Sequence, residues 1–206
     1  MLEFKNIDLR FGEELVLHHF NMTIKEHDKT VIRGSSGIGK STIINLILGF
    51  IKADAGQIYW KGALVTDDTI QNVRASVAWL PQEFMFGTGS VEDIIKFPFQ
   101  FSRNKDLEHN GDKIVRILNS LHLDQSLLSK KYDDISEGQK QRVGLALCLL
   151  LERSFILLDE PTSSLDPDSR KCVIDLFLNN EDFTVLSTSH DPEWIKHCSK
   201  VIDLKE

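Results

Sequence analysis

Thr30-Val31-Ile32-Arg33-Gly34-Ser35-Ser36-Gly37-Ile38-Gly39-Lys40-Ser41 decides how this chain is read. A β-branched run breaks into a glycine-rich turn, and Lys40 to Leu48 follows with helical character until Gly49 stops it. Gly34 to Ser41 fits the spacing G-x-x-x-x-G-K-[ST]. Glycines there let successive backbone N–H groups point inward and wrap a polyphosphate, and a helix opening at Lys40 adds the positive end of its dipole. Lys40 reaches toward β- and γ-phosphates, and Ser41 offers a hydroxyl to Mg²⁺. A strand before and a helix after separate this pattern from an ordinary Gly/Ser turn.

Outward from that loop the pattern alternates. Phe155-Ile156-Leu157-Leu158 is the short apolar run expected of a strand buried on both faces. Asp159-Glu160 follows it, at the sheet edge where α/β folds bind ligands. Asp159 is suited to hold Mg²⁺, and Glu160 to orient and deprotonate an attacking water. Further strands are expected at Gly56–Gly62, at Val77–Leu80 before Pro81, at Phe183–Ser187 and at Val201–Leu204. Asp166-Pro167 opens a helix to about Leu178, and Asp191-Pro192-Glu193 opens another by the same cap-and-proline logic. The middle of the chain is helical. Ser90 caps a helix from Val91, Ile114, Ile117, Leu118 and Leu121 share one helical face, and Gly144–Leu151 is apolar all round. The Phe-containing stretch from Phe97 to Asn110 has no assignment. Strand–helix–strand alternation predicts an α/β fold with a mainly parallel sheet and an inserted helical middle.

Composition narrows the classes. A chain of 206 residues suits one domain, or one with a small lobe, at about 150 residues per domain. A hydrophobic fraction of 41% with 27% charge excludes a disordered chain. Lys+Arg 24 against Asp+Glu 31 leaves −7, with no basic stripe for nucleic acid. The apolar run Gly144–Leu151 is far shorter than the roughly 20 residues of a membrane-spanning helix. Met1-Leu2-Glu3-Phe4-Lys5 does not begin a secretory signal. Cys148, Cys172 and Cys198, odd in number and far apart, read as buried thiols in a reducing, cytoplasmic compartment. The remaining histidines, including the His18-His19 pair, show no ligand spacing and read as having no metal role.

The phosphate loop, Gln82 after a strand, Ile135-Ser136-Glu137-Gly138-Gln139, Asp159-Glu160, Ser164-Leu165-Asp166 and His190 occur in that order. Together they resemble the nucleotide-binding subunit of an ATP-binding-cassette (ABC) transporter, over essentially the whole chain. The resemblance implies a single P-loop NTPase domain. Its core of about 1–83 and 152–206 would carry a mainly parallel sheet and an N-terminal antiparallel β subdomain, with an inserted helical lobe at about 84–151. It implies ATP and Mg²⁺ held by Gly34, Ser35, Ser36, Gly37, Ile38, Gly39, Lys40, Ser41 and Thr42, with the metal on Ser41, Gln82 and Asp159. Glu160, His190, Gln82 and Lys40 would be catalytic. Phe11 stands where the family stacks an aromatic, usually Tyr, on adenine, and keeps the π face. Asp166 matches the loop that senses the partner subunit.

The signature segment departs from Leu-Ser-Gly-Gly-Gln at two positions, Ile135 and Glu137. By itself Ser136 with Gln139 is a capping box. By resemblance Ser136, Gly138 and Gln139 meet the nucleotide held by a second copy arranged head to tail. Glu137 suits a helix first turn, pointing off the phosphate.

The resemblance also implies a separate integral membrane permease, with this chain peripheral on the inner face of the cell membrane. Phe84-Met85-Phe86, apolar for a loop, marks the expected docking patch. Two alternatives stand: a soluble ABC ATPase acting on ribosomes or DNA, and a nucleotide-binding scaffold without turnover. The short lobe with Phe97-Pro98-Phe99 looks similar to cassettes paired with metal- or iron-export permeases.

Overall fold

The computed structural model describes residues 1–83, 88–107 and 109–204. The chain opens with an antiparallel hairpin, β1 (Leu2–Phe11) and β2 (Glu14–Ile24), then β3 (Lys29–Arg33) and helix α1 (Lys40–Leu48). β4 (Ala55–Trp60), β5 (Ala63–Leu64), α2 (Ile70–Ser76) and β6 (Val77–Leu80) follow. Next come α3 (Val91–Lys96), α4 (Gly111–Ser120) and α5 (Glu137–Leu150). The last part alternates: β7 (Phe155–Asp159), α6 (Pro167–Phe177), β8 (Thr184–Thr188), α7 (Pro192–His197) and β9 (Lys200–Asp203).

The strands form two sheets. One is antiparallel, in the order β2-β1-β4-β5; the other has the order β6-β7-β8-β3-β9. Every pairing in the second is parallel. Its inner strands are apolar because both faces are covered. Phe155, Leu157, Leu186 and Ile32 turn to the layer that holds α1 and the antiparallel sheet. Ile156, Leu158, Val185 and Val31 turn to the layer of α3, α5, α6 and α7. The first layer is closed by Trp60 of β4 edge-on to Phe155 of β7, with centroids 4.9 Å apart. An edge-to-face pair of this kind adds about 0.5–1.5 kcal/mol beyond its buried area.

The caps read from the sequence form. Ser90 and Asp93 make a reciprocal box at α3, and Asp166 and Asp191 cap α6 and α7 ahead of their prolines. Ile114, Leu118 and Leu121 face the core, as their spacing predicts. Two strand limits shift: Phe183 lies before β8, and β9 begins at Lys200 instead of Val201. The unassigned stretch contains two 3₁₀ turns, Phe97–Gln100 and Ser102–Asn104. Turns this short leave no period to read.

Two expectations need correction. Cys148 is buried, its thiol pushed up to about 12 by desolvation, but Cys172 and Cys198 are only half-buried. The His18-His19 pair, read as lacking ligand spacing, sits with Asp8 at a register shift in the hairpin, where the side chains converge. Among the described residues no helix is long and apolar enough to cross a membrane. Phe84-Met85-Phe86 lies outside the described residues.

Candidate active site

The loop from Gly34 to Gly39 joins the carboxyl end of β3 to the first turn of α1. Gly39 caps α1 with a left-handed backbone, φ 102. A Cβ there would come within 2.5 Å of Val16 Cγ1 on β2, so both conformation and space demand glycine. This bend sets the helix N-terminus, with its unpaired N–H groups, against a cavity of about 640 Å³. Ser36, Gly37, Gly39, Lys40, Ser41 and Thr42 line one side. Gln82, Asp159, Glu160 and His190 line the other. Gly34 and Ser35 lie at a smaller adjoining cleft with His190.

The Lys40 ammonium is buried and folded back on its own loop. It donates to the carbonyls of Gly34 at 3.0 Å and Ser35 at 2.9 Å, and lies 2.9 Å from His190 Nε2. Thr188 on β8 joins the two acids. Its hydroxyl donates to Asp159 Oδ1 at 2.5 Å. Its carbonyl and hydroxyl oxygens receive the Glu160 N–H at 3.2 and 3.1 Å. Glu160 sits at φ 49, a left-handed backbone that a side chain disfavours. Its carboxylate accepts the His190 N–H at 3.3 Å and lies 3.6 Å from His190 Nε2. Ser41, Gln82 and Asp159 bring oxygen donors alone to this cavity, a set that fits a hard cation such as Mg²⁺.

Sequence reading missed Gln141. This buried side chain leaves α5 and donates from Nε2 to the Glu160 carbonyl at 2.7 Å, while its Oε1 accepts the Ser164 N–H at 3.0 Å. It therefore ties α5 to the turns at Glu160 and Ser164 of the same chain. Among the polar neighbours Gln139, Lys140 and Arg142 in the first half of α5, nothing in the sequence set Gln141 apart. Thr162 and Arg170, which meet at Asp191, were missed as well. Thr162 donates to Asp191 Oδ2 at 2.9 Å, and Arg170 Nε lies 2.9 Å from the same oxygen.

Several expected site residues stand elsewhere. Ser136 and Gln139 form the capping box of α5, Gln139 N–H to Ser136 Oγ at 3.3 Å and Ser136 N–H to Gln139 Oε1 at 3.1 Å. Neither they nor Gly138 lines the cavity of their own chain. Glu137 is turned to Lys140 at 2.8 Å, which offsets its charge. Asp166 accepts from the Asp168 and Ser169 N–H groups at 3.1 and 2.9 Å and from the Ser169 hydroxyl at 2.6 Å. The Ser169 bonds bring its carboxyl down to about 2. Phe11 ends β1 with 51% of its surface exposed, clear of the cavity.

Residues 17–163 match the sequence model of the ABC transporter family. The chain is 29% identical over 213 residues to the energy-coupling factor transporter ATP-binding protein EcfA1 of Streptococcus mutans, covering 100% of this chain and 75% of that one. It is 28% identical over 208 residues to the probable iron export ATP-binding protein FetA of Escherichia coli, covering 100% and 91%. Among solved structures, the dimeric ABC transporter cassette MJ0796 superposes with a TM-score of 0.86 at 26% identity, covering 100% of this chain and 94% of that one. The same cassette in a dimeric post-hydrolysis state with ADP and Pi bound gives a TM-score of 0.85 at 27% identity, with the same coverage.

Gln141→Ala removes two buried hydrogen bonds behind Glu160, each worth about 1 kcal/mol or more. Steady-state kinetics should show ATP turnover down by about tenfold with KM for ATP within about twofold. A loss confined to KM would place Gln141 in substrate binding instead.

Proposed function

This chain belongs to the ABC transporter family, and from that premise we propose how its residues divide the work between two copies. The protein is the ATP-binding and ATP-hydrolysing subunit of a transporter. One observation carries the division. The cavity gathers Lys40, Ser41, Asp159 and Glu160 on one chain, while Ser136 and Gly138 of that chain point elsewhere. The second half of each site then comes from a second copy, placed head to tail, whose α5 N-terminus faces the terminal phosphate.

In this reading the loop N–H groups wrap the polyphosphate, and Lys40 exchanges the Gly34 and Ser35 carbonyls for phosphate oxygens. Mg²⁺ held through Ser41, Gln82 and Asp159 supplies neutralisation of phosphate charge. Phe11 stacks on the adenine. Glu160, its backbone fixed by Thr188 and Gln141, takes the proton of the attacking water. His190 donates toward the γ-phosphate once Lys40 has moved off its Nε2. The Ser136 hydroxyl and Gly138 N–H of the other copy complete the anion site at a helix N-terminus, beside Gln139, whose N–H holds the capping box. Asp166, already satisfied as a cap, holds the loop that meets the partner. Glu137 stays paired to Lys140 and leaves the phosphate free.

The work is delivered to a separate membrane permease, with this chain peripheral on the inner membrane face. Phe97 and Phe101 support this. They stack edge-on at 5.3 Å, and each is 53% exposed, a pair of neighbouring apolar rings open to a partner on the helical part of the chain. A net charge of −7 counts against a nucleic-acid partner. The likeness to FetA over nearly its full length supports metal or iron export as the cargo class.

Glu160→Gln should trap a dimer: light scattering gives the dimer mass with ATP and Mg²⁺ and the monomer mass without. A protein that stays monomeric at saturating ATP contradicts the two-copy site. Phe97→Asp with Phe101→Asp should leave ATP affinity unchanged and strip the permease from pull-downs of detergent-solubilised membranes. Undiminished recovery of a multi-span protein would move the docking surface elsewhere.

A further inference from the structure

Asp8, His18 and His19 are brought together by a β-bulge in the first hairpin. Ile7 pairs with Phe20 and Leu9 with Leu17, so Asp8 on β1 faces both His18 and His19 on β2. His19 takes a left-handed backbone, φ 46. Adjacent side chains on a regular strand point to opposite faces. Here the two imidazoles lie on one side, their centroids 4.1 Å apart. Asp8 Oδ1 lies 3.2 Å from His18 Nδ1, and Oδ2 lies 3.4 Å from His19 Nδ1. One ligand atom from each residue falls within 4.8 Å of the other two.

Besides the contact of His18 Nδ1 with Asp8 Oδ1, backbone and amide bonds that do not use the rings hold the arrangement in place. Asp8 Oδ1 accepts the His19 N–H at 2.7 Å. Asn21 Nδ2 donates to the His19 carbonyl at 2.7 Å and to Asn6 Oδ1 at 3.0 Å. The Asn21 side-chain oxygen in turn accepts the Asn6 N–H at 3.0 Å. On the other side the Asp54 N–H donates to the Asp8 carbonyl at 2.9 Å.

We propose that Asp8, His18 and His19 form a surface site for a divalent late-transition cation, with Zn²⁺ as the probe ion. Two imidazoles and one carboxylate suit Zn²⁺ and its neighbours, whereas Mg²⁺ and Ca²⁺ take oxygen donors. Bonds of about 2.0–2.1 Å set the ligand–ligand edge of a tetrahedral zinc site at roughly 3.3 Å. His18 lies 3.2 Å from Asp8 Oδ1 and His19 3.4 Å from Oδ2, close to that edge, and the three ligand atoms lie within 4.8 Å of one another, so side-chain rotation would bring them onto one ion. Both rings are exposed, which leaves the remaining coordination positions to water. The bound ion would clasp β1 to β2 just before Phe11. The site is separate from the Mg²⁺ donors, and it stands whether or not the two-copy mechanism does.

The test uses untagged, nucleotide-free protein in excess Mg²⁺, titrated with zinc in competition with a chromophoric chelator. Wild type is compared with His18→Ala, Asp8→Asn and His19→Asn, the last chosen because Asn tolerates a left-handed backbone. Wild type should take up one zinc equivalent that each variant loses or binds at least about tenfold more weakly. ATP affinity should be unchanged throughout. Zinc should raise the melting temperature of wild type and not of His18→Ala, whose zinc-free melting should match wild type. Equal zinc binding by wild type and all three variants, or no uptake by wild type in excess zinc, overturns the site.

Discussion

Val16 on β2 stands so close to Gly39 that no side chain fits between them, and the active site depends on that contact. The bend at Gly39, φ 102, turns the first N–H groups of α1 toward the cavity. It holds because the antiparallel sheet packs on the same apolar layer as α1 and one face of the parallel sheet. The N-terminal sheet is therefore a brace for the phosphate loop. The same hairpin carries Phe11 at its end and the bulge at Asp8.

A second constraint runs through the other layer. Glu160 is held at φ 49 by Thr188 on one side and Gln141 on the other. A strained backbone persists only where its surroundings over-determine it, and such positions cluster at working sites. Gln141 belongs to α5, whose first turn is proposed to face the second copy. Gly138, in that first turn, lies so near the Ser164 carbonyl that a Cβ would sit 2.7 Å from it. Signature helix, Ser164 turn and Glu160 therefore move as one body. In the proposed two-copy site, the half that a chain offers its partner would be joined to the half it keeps.

Much of this was legible in the sequence because it is local. The glycine pattern from Gly34 to Gly39, the caps at Ser90, Ser136, Asp166 and Asp191, and the doubly buried run Phe155–Leu158 each signal their structure within a few residues. What the sequence did not reveal is long-range or irregular. Gln141 matters only because β7 and the Ser164 turn pass beside α5. The 3₁₀ turns after Phe97 have no period. His18 and His19 were read from their spacing alone, which cannot show the bulge that sets both opposite Asp8. Glu137 was read as turned off the phosphate; the structure shows only that it pairs with Lys140.

The central claim is that each complete site needs residues from two chains, and mixing two disabled chains tests it most directly. Lys40→Ala destroys the phosphate-loop half and Ser136→Arg the signature half, so each variant alone should be inactive. In an equal mixture, half the dimers pair unlike chains and each of these has one intact site. ATPase activity should therefore return to about a quarter of wild type. A mixture that stays at the level of the separate variants would contradict the account.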